Sequence, residues 1–192
     1  MADQAVLVSI QVGKPKTTEQ IMDDGRDRSW TSGIFKVPVT GKVWLAELNL
    51  EGDGQADLKV HGGPEQAVMG YSADHYPFWR KKLDHLPDLP YGAFGENFTL
   101  AGMNEDNVFM DDIYRIGEAM IQVSRPRQPC WKLARRMQTK AIGPLVIGTG
   151  YTGWYFRVLT EGFVEAGLPV ELVQRPDAYW SIRKYNDDVV HA

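Results

Sequence analysis

Residues 113–124 read IYRIGEAMIQVS, and the fold class turns on this stretch. Ile113 to Ile116 and Ala119 to Ser124 are β-prone arms around Gly117-Glu118, a two-residue connection of the kind that closes a hairpin. In the second arm Ala119, Ile121 and Val123 alternate with Met120, Gln122 and Ser124, the period of a half-buried strand. The same short-strand grammar extends in both directions. Toward the N-terminus lie Ala5–Gly13 (AVLVSIQVG), GIFKVPV and KVWLAELNL with a Thr40-Gly41 turn between them, and ENFTL. Pro38 lacks an N–H donor and suits a strand end or an edge. Lys14 to Ser32 is polar and irregular, with DDGRDRS as a surface loop, and EGDGQAD (Glu51–Asp57) is turn chemistry. LKVHGGPEQAVMGY reads as a strand broken at His61-Gly62-Gly63-Pro64 and then resumed. Toward the C-terminus lie WYFRVLT, FVEAG and VELVQRP.

Helical spacing is scarcer. Tyr76, Trp79, Leu83 and Leu86 mark one helix over Ser72–Leu86, started by Ser72 or by Pro77, and His75 and His85 decorate it. A second helix spans about Pro129–Met137, and Asp177–Ala192 reads as one terminal helix. The expectation is a mainly β protein: a closed or partly closed β-barrel over residues 1–176, with two or three short helices, and a short helical tail over 177–192.

Composition narrows the function classes. With 192 residues, 43% hydrophobic and 24% charged, the chain suits one globular domain with a buried core. A net charge of -4 argues against a polyanion, and hence against nucleic acid, as principal partner. No window reaches the roughly 20 apolar residues of a membrane span. MADQAVLVSIQVG has no basic n-region and does not read as a signal peptide. One cysteine forms no internal disulfide, which fits a reducing cytoplasm.

That cysteine sits in QVSRPRQPCWKL, Gln122–Leu133. If Gln128 caps the helix, Pro129 is its first residue and Cys130 its second, at the positive end of the helix dipole with Arg125, Arg127 and Lys132 close in sequence. Such surroundings favour the thiolate, the form that binds soft metals or attacks electrophiles. A plainer reading stays open: Cys130, Leu133, Ala134 and Met137 share one helix face, so Cys130 also suits a small buried hydrophobe. A zinc site is unsupported, because His61, His75, His85 and His191 show no ligand spacing. No glycine-rich phosphate loop is present.

LKVHGGPEQAVMGYSADHYPFW, GAFGENFTL, NVFMDDIYRIGEAMIQVSRPRQPCWKL and GWYFRVLTEGFVEAG together resemble the MOSC domain family, named for the C-terminal domain of molybdenum cofactor sulfurases, and within it the YiiM-type bacterial subgroup. The likeness runs from about Ala5 to Pro176. It implies a pyruvate-kinase-like β-barrel that binds the molybdenum cofactor (a molybdopterin) with Cys130 as ligand to the metal. It further implies reduction of N-hydroxylated compounds, such as hydroxylaminopurines and amidoximes, with electrons from a separate flavin- or haem-type donor. For the pterin's anionic end the resemblance and the charge of the residues point to Lys36, Lys59, Arg125, Arg127 and Lys132, with Arg127 and Lys132 preferred. Backbone N–H groups around His61, Gly62 and Gly63 add donors, and His61 suits a pterin contact or proton transfer. Asn97 suits the pterin amide edge or an internal turn bond. Pyridoxal phosphate, the sulfurases' other cofactor, is not expected. The subgroup carries a further helical module, for which residues 177–192 leave room for one short helix, and a homodimer stays open. Two other readings stand beside the reductase: a carrier of the same cofactor without turnover, and a metal-free thiol enzyme with Cys130 as nucleophile and His61 as base.

Overall fold

A computed structural model of the chain describes residues 4–19, 29–86 and 88–191; most of the DDGRDRS loop lies outside the described residues. Twelve strands are formed: β1 (Val6–Val12), β2 (Lys16–Thr18), β3 (Trp30–Ser32), β4 (Val37–Val39), β5 (Val43–Leu45), β6 (Val68–Ser72), β7 (Phe98–Ala101), β8 (Ile113–Ile116), β9 (Ala119–Pro126), β10 (Trp154–Thr160), β11 (Gly162–Val164) and β12 (Glu171–Gln174). Four short α-helices, α1 (Tyr76–Lys82), α2 (Trp131–Arg136), α3 (Ile142–Thr149) and α4 (Ile182–Tyr185), complete the set with brief 3-10 turns.

Eight strands make one curled sheet in the order β12-β8-β9-β10-β6-β7-β1-β4. Neighbours run antiparallel except β6 and β7, which are parallel. The hairpin read from IYRIGEAMIQVS is β8–β9, in register from Ile116 opposite Ala119 to Ile113 opposite Gln122. Its inward residues Ala119, Ile121 and Val123 are fully buried, as the alternation requires. Pro38 sits in β4, the sheet's last strand, where its missing N–H breaks no ladder. The sheet bends back on itself. Gly167 N donates to Leu7 O at 2.7 Å, Leu7 N to Leu168 O at 3.0 Å and Val170 N to Ala5 O at 2.8 Å, so the segment entering β12 reaches across to β1. The result is a mainly β, partly closed barrel.

Two cores flank the curled sheet. Val68, Phe98, Leu100, Ile121, Trp154 and Phe156 fill the barrel. On the outer face Met69, Tyr71, Trp79, Phe94, Leu133 and Val146 pack with α1, α2 and α3. β6 serves both: Val68 points into the barrel, Met69 and Tyr71 into the helical layer, and all five of its residues are buried.

Five local expectations are corrected. Lys14–Ser32 is not wholly irregular, since β2 and β3 pair within it, and their Thr17 and Thr31 hydroxyls bond at 2.8 Å. Leu58–Val60 forms a turn, not a strand; Val60 N and His61 N both bond back to Asp57 O. The Ser72–Leu86 helix is a 3-10 turn capped by Ser72, whose Oγ accepts from Asp74 N, followed by α1 with Pro77 in its first turn. His75 does not decorate that helix: it is buried, 2.6 Å from Glu105 and stacked on Tyr151. A buried imidazole needs such a partner, and the 3-10 start rotates His75 inward to meet it. The terminal helix is only α4, which winds on into a π-helical turn, Asn186–Val190.

Candidate functional site

A cavity opens where β9 ends and α2 begins. Cys130, His61, Gly62, Lys36, Asn97, Arg127 and Lys132 all line it. Seven of the candidate residues, drawn from four separate sequence stretches, therefore meet at one place. Lys59 and Arg125 are exposed and, like Gly63, stand outside this lining. Gly63 acts one step back. It holds φ 84°, ψ 173° at the start of the Pro64–Gln66 3-10 turn, a region only glycine tolerates. Gly62, at φ 93°, makes the preceding bend. The two glycines turn the chain so that His61 faces Cys130. Gly63→Ala is expected to lose about 1–3 kcal/mol of stability, read by denaturant unfolding, and to displace His61.

Cys130 occupies the N-cap of α2, not its second turn residue, and Gln128 is not the cap. Pro129 precedes the helix because the backbone at Cys130 is still extended, φ -101° and ψ 162°. Leu133 and Met137, on the same face, are fully buried in the helical core, whereas Cys130 stays half-buried at the cavity. The cap position breaks the spacing argument that would have made it a core residue. Burial pushes its pKa up. The hydrogen bond from His61, the Arg127 charge and the backbone N–H groups of Leu133 and Lys132 outweigh that and bring it from the ordinary 9.0 to about 7. Iodoacetamide labelling of this single thiol is expected to follow a midpoint near pH 7 and to fall tenfold per unit below it; a midpoint near 9 refutes the assigned surroundings.

Arg127 is the cation of the site. It is 4% exposed, its Nη2 donates to Phe94 O at 3.3 Å, and its Nη1 is buried without a partner among the described residues. A buried guanidinium N–H left unpaired is costly, and an anion placed in the cavity would relieve it. The loop that presents Phe94 is tied by Glu96, which accepts from Gly92 N at 2.6 Å, Phe94 N at 3.1 Å, Thr99 Oγ1 at 3.2 Å and the Tyr76 hydroxyl. Glu96→Gln removes charge from four hydrogen bonds and is expected to lower stability by about 2–3 kcal/mol in denaturant unfolding.

Two expected ligand-binding side chains are committed to the fold. Lys36 is paired with buried Asp53 at 2.5 Å; burial lowers its pKa and the Asp53 charge counters that. Asn97 Nδ2 donates to Asp53 Oδ2 at 2.8 Å and to Gln11 O at 3.2 Å, while its Oδ1 accepts from Met69 N at 3.1 Å. Asn97 is thus bonded to three segments distant in sequence, and none of these bonds closes a local turn. The remaining cation of the lining is Lys132, half-buried, with its ammonium 5.8 Å from the Trp131 ring centroid.

Sequence reading missed Tyr155, Gln128 and Asp53. Tyr155 lines the cavity from β10, close enough for its ionisation to be opposed by the Cys130 charge after the larger effect of burial. Its hydroxyl has no hydrogen-bond partner among the described residues. Only the alternation within WYFRVLT could have signalled which way it faces.

Among the described residues no group of three or more His, Cys, Asp or Glu side chains could hold a metal ion. The site offers one thiol, Cys130, beside a guanidinium N–H unpaired among the described residues. Such a set suits a metal that arrives with its other ligands attached to an anionic carrier, and suits a bare ion poorly.

A curled half-barrel with a low-pKa cysteine in a cationic cavity at the end of β9 defines a cofactor-type binding domain. Residues 57–171 match the MOSC domain, and the chain belongs to this family, which is associated with molybdenum cofactor binding. A protein of Bacillus subtilis (strain 168) named YflK is 47% identical over 94% of this chain and 78% of its own length. The crystal structure of YiiM from Geobacillus stearothermophilus superposes with a TM-score of 0.76 at 38% identity, covering 95% of this chain and 82% of that one. A Gibberella moniliformis protein named as a reductase is 40% identical over 79% of this chain, which spans only 27% of that protein's length. No helix among the described residues is long and apolar enough to cross a membrane.

Proposed function

We propose that this chain binds a molybdopterin-type molybdenum cofactor through Cys130 and Arg127 and reduces N-hydroxylated compounds, hydroxylaminopurines and amidoximes among them. The observation that carries the reading is the pairing of a half-buried thiol of pKa about 7 with a guanidinium N–H that has no partner among the described residues. When bound, the cofactor supplies two-electron oxygen removal, and the overall reaction is R–NHOH + 2 e⁻ + 2 H⁺ → R–NH₂ + H₂O. The electrons come from a separate flavin- or haem-type protein, in the cytoplasm.

The chain's own residues do the rest. Cys130 presents a sulfur whose pKa is brought down to about 7, so that the thiolate is accessible near neutral pH, and the N-cap position fixes its direction. Arg127 and Lys132 attract the anionic end of the pterin. His61, hydrogen-bonded to the sulfur, stands where it can deliver one of the two protons. Tyr155 offers a neutral hydroxyl donor on the β10 side. Burial keeps it protonated at neutral pH, since its pKa lies above the ordinary tyrosine value. Lys36, Asp53 and Asn97 brace the wall between β1, β6 and β7 rather than touching ligand.

The test is protein made in a host that synthesises the cofactor, assayed for molybdenum, pterin and reduction of 6-hydroxylaminopurine with a reducing partner. Molybdenum and turnover support the reading. Molybdenum without turnover leaves a carrier, and absence of both in a correctly folded preparation sinks it.

A further inference from the structure

Gln128 lines the cavity two residues ahead of Cys130, yet its carboxamide is committed elsewhere. Its Nε2 donates to Asn186 Oδ1 at 2.9 Å, and its Oε1 accepts from His191 Nε2 at 3.0 Å. Asn186 is 1% exposed and opens the π-helical turn at the end of the described chain. Its Nδ2 donates to Thr152 Oγ1 at 3.0 Å, and its carbonyl accepts His191 N at 2.9 Å, closing the turn. Thr152 adjoins Gly153, whose carbonyl accepts Arg127 N at 3.1 Å.

The junction from Arg127 to Cys130 is therefore clamped on two sides. Gly153 holds its backbone and Asn186 holds its side chain. The clamp is itself anchored: Ile182 is buried in the barrel core, Arg183 N donates to Glu105 O at 2.8 Å, and Arg183 Nη1 donates to Thr149 O at 2.7 Å. Glu105 returns to the same place, accepting Gly153 N at 2.8 Å. Gly153 must be glycine for this. It has φ 74°, and an added Cβ would lie 2.6 Å from Gly70 O. A fully buried carboxamide with both ends bonded ties together the segments it joins, because breaking either bond leaves a buried polar group unpaired.

We propose that the Asn186 turn is a latch that sets the position of the Arg127–Cys130 junction, so that Asn186 and Gln128 are positioning residues for the cavity. The latch stands on the distances alone; what it is positioned for rests on the function proposed above.

Asn186→Leu keeps the side chain's size and removes both bonds, whereas Asn186→Asp keeps the acceptor for Gln128 Nε2 and can regain the second bond if the Thr152 hydroxyl turns its proton from Gly153 O to the carboxylate. Peptide-resolved hydrogen exchange on the full chain reads the effect. In Asn186→Leu, exchange over residues 127–133 should accelerate by about tenfold, the scale of one lost buried hydrogen bond, with β1 and β7 unchanged. Iodoacetamide labelling of Cys130 should change about fivefold or more in the same variant, and return near wild type in Asn186→Asp. Should Asn186→Leu fail to fold, Gln128→Ala, which cuts the latch from the cavity side, must give the same local signature. Unchanged exchange and labelling in a folded variant overturn the latch, as does uniform acceleration along the whole chain. If wild-type protein never takes up molybdenum while the variants show the signature, the proposed function is retired and the latch stands.

Discussion

Cys130→Ser is expected to fold as well as the parent and, on the proposed function, to take up little or no molybdenum. The fold should survive because Cys130 stands at the N-cap of α2, half-buried, with extended backbone. Serine is nearly the same size and is among the preferred N-cap residues, so its Oγ can accept from the first helical N–H groups. Melting temperature should hold or rise slightly. The chemistry should not survive, since a hydroxyl does not ionise near neutral pH and is a hard donor where the thiolate is soft. Loss of an outer partner of a bound metal typically costs 10–100-fold, so loss of the ligand itself should lower reductase activity by more than about 100-fold. Molybdenum content, melting temperature and 6-hydroxylaminopurine turnover measured on one preparation decide the matter. Full molybdenum with unchanged turnover removes Cys130 from the metal.

Arg127→Met should act in opposite directions on the empty and the loaded protein. Arg127 is buried with Nη1 unpaired, and its one side-chain bond, to Phe94 O, is long at 3.3 Å. Methionine fills similar space, adapts to irregular gaps and carries no charge. Replacing an unpaired buried cation by an apolar chain should stabilise the empty protein by about 1 kcal/mol, or roughly 2–4 °C for a chain of this size. The same change should weaken capture of the pterin's anionic end by about 10–100-fold, the worth of one charge-assisted hydrogen bond. It should also move the Cys130 labelling midpoint upward from about 7, because Arg127 is one of the influences that lower it. Thermal melts with and without cofactor, together with pterin-to-protein ratios, test both halves. An empty variant that melts several degrees lower shows instead that Arg127 is a structural cation.

Gly63→Ala and Glu96→Gln bear on the walls of the same cavity, and their effects arise in backbone and carboxylate, away from the sulfur. The distinction matters for the β6–β7 side. There Lys36, Asp53 and Asn97 form one closed network, and a change at any of them should be read first as a change of fold.

Local chemistry in the sequence determined the elements that need only neighbours. The β8–β9 hairpin followed from alternation about a two-residue turn and the edge position of β4 from Pro38, whereas the lowered pKa of Cys130 owes more to His61, distant in sequence, than to the arginines beside it. The family resemblance drew the candidate residues toward one site from segments far apart in the chain. Which of those residues are available to a ligand was settled only by tertiary structure. Lys36 and Asn97 carry suitable groups, but Asp53 and the backbone of Gln11 and Met69, distant in sequence, occupy them. His75 turned inward because Glu105 and Tyr151 wait for it across the fold. The Asn186 latch joins residues 58 positions apart, and no spacing rule reaches that far. Short-range sterics and charge are written residue by residue; the partner of a buried polar group is chosen by how the whole chain closes.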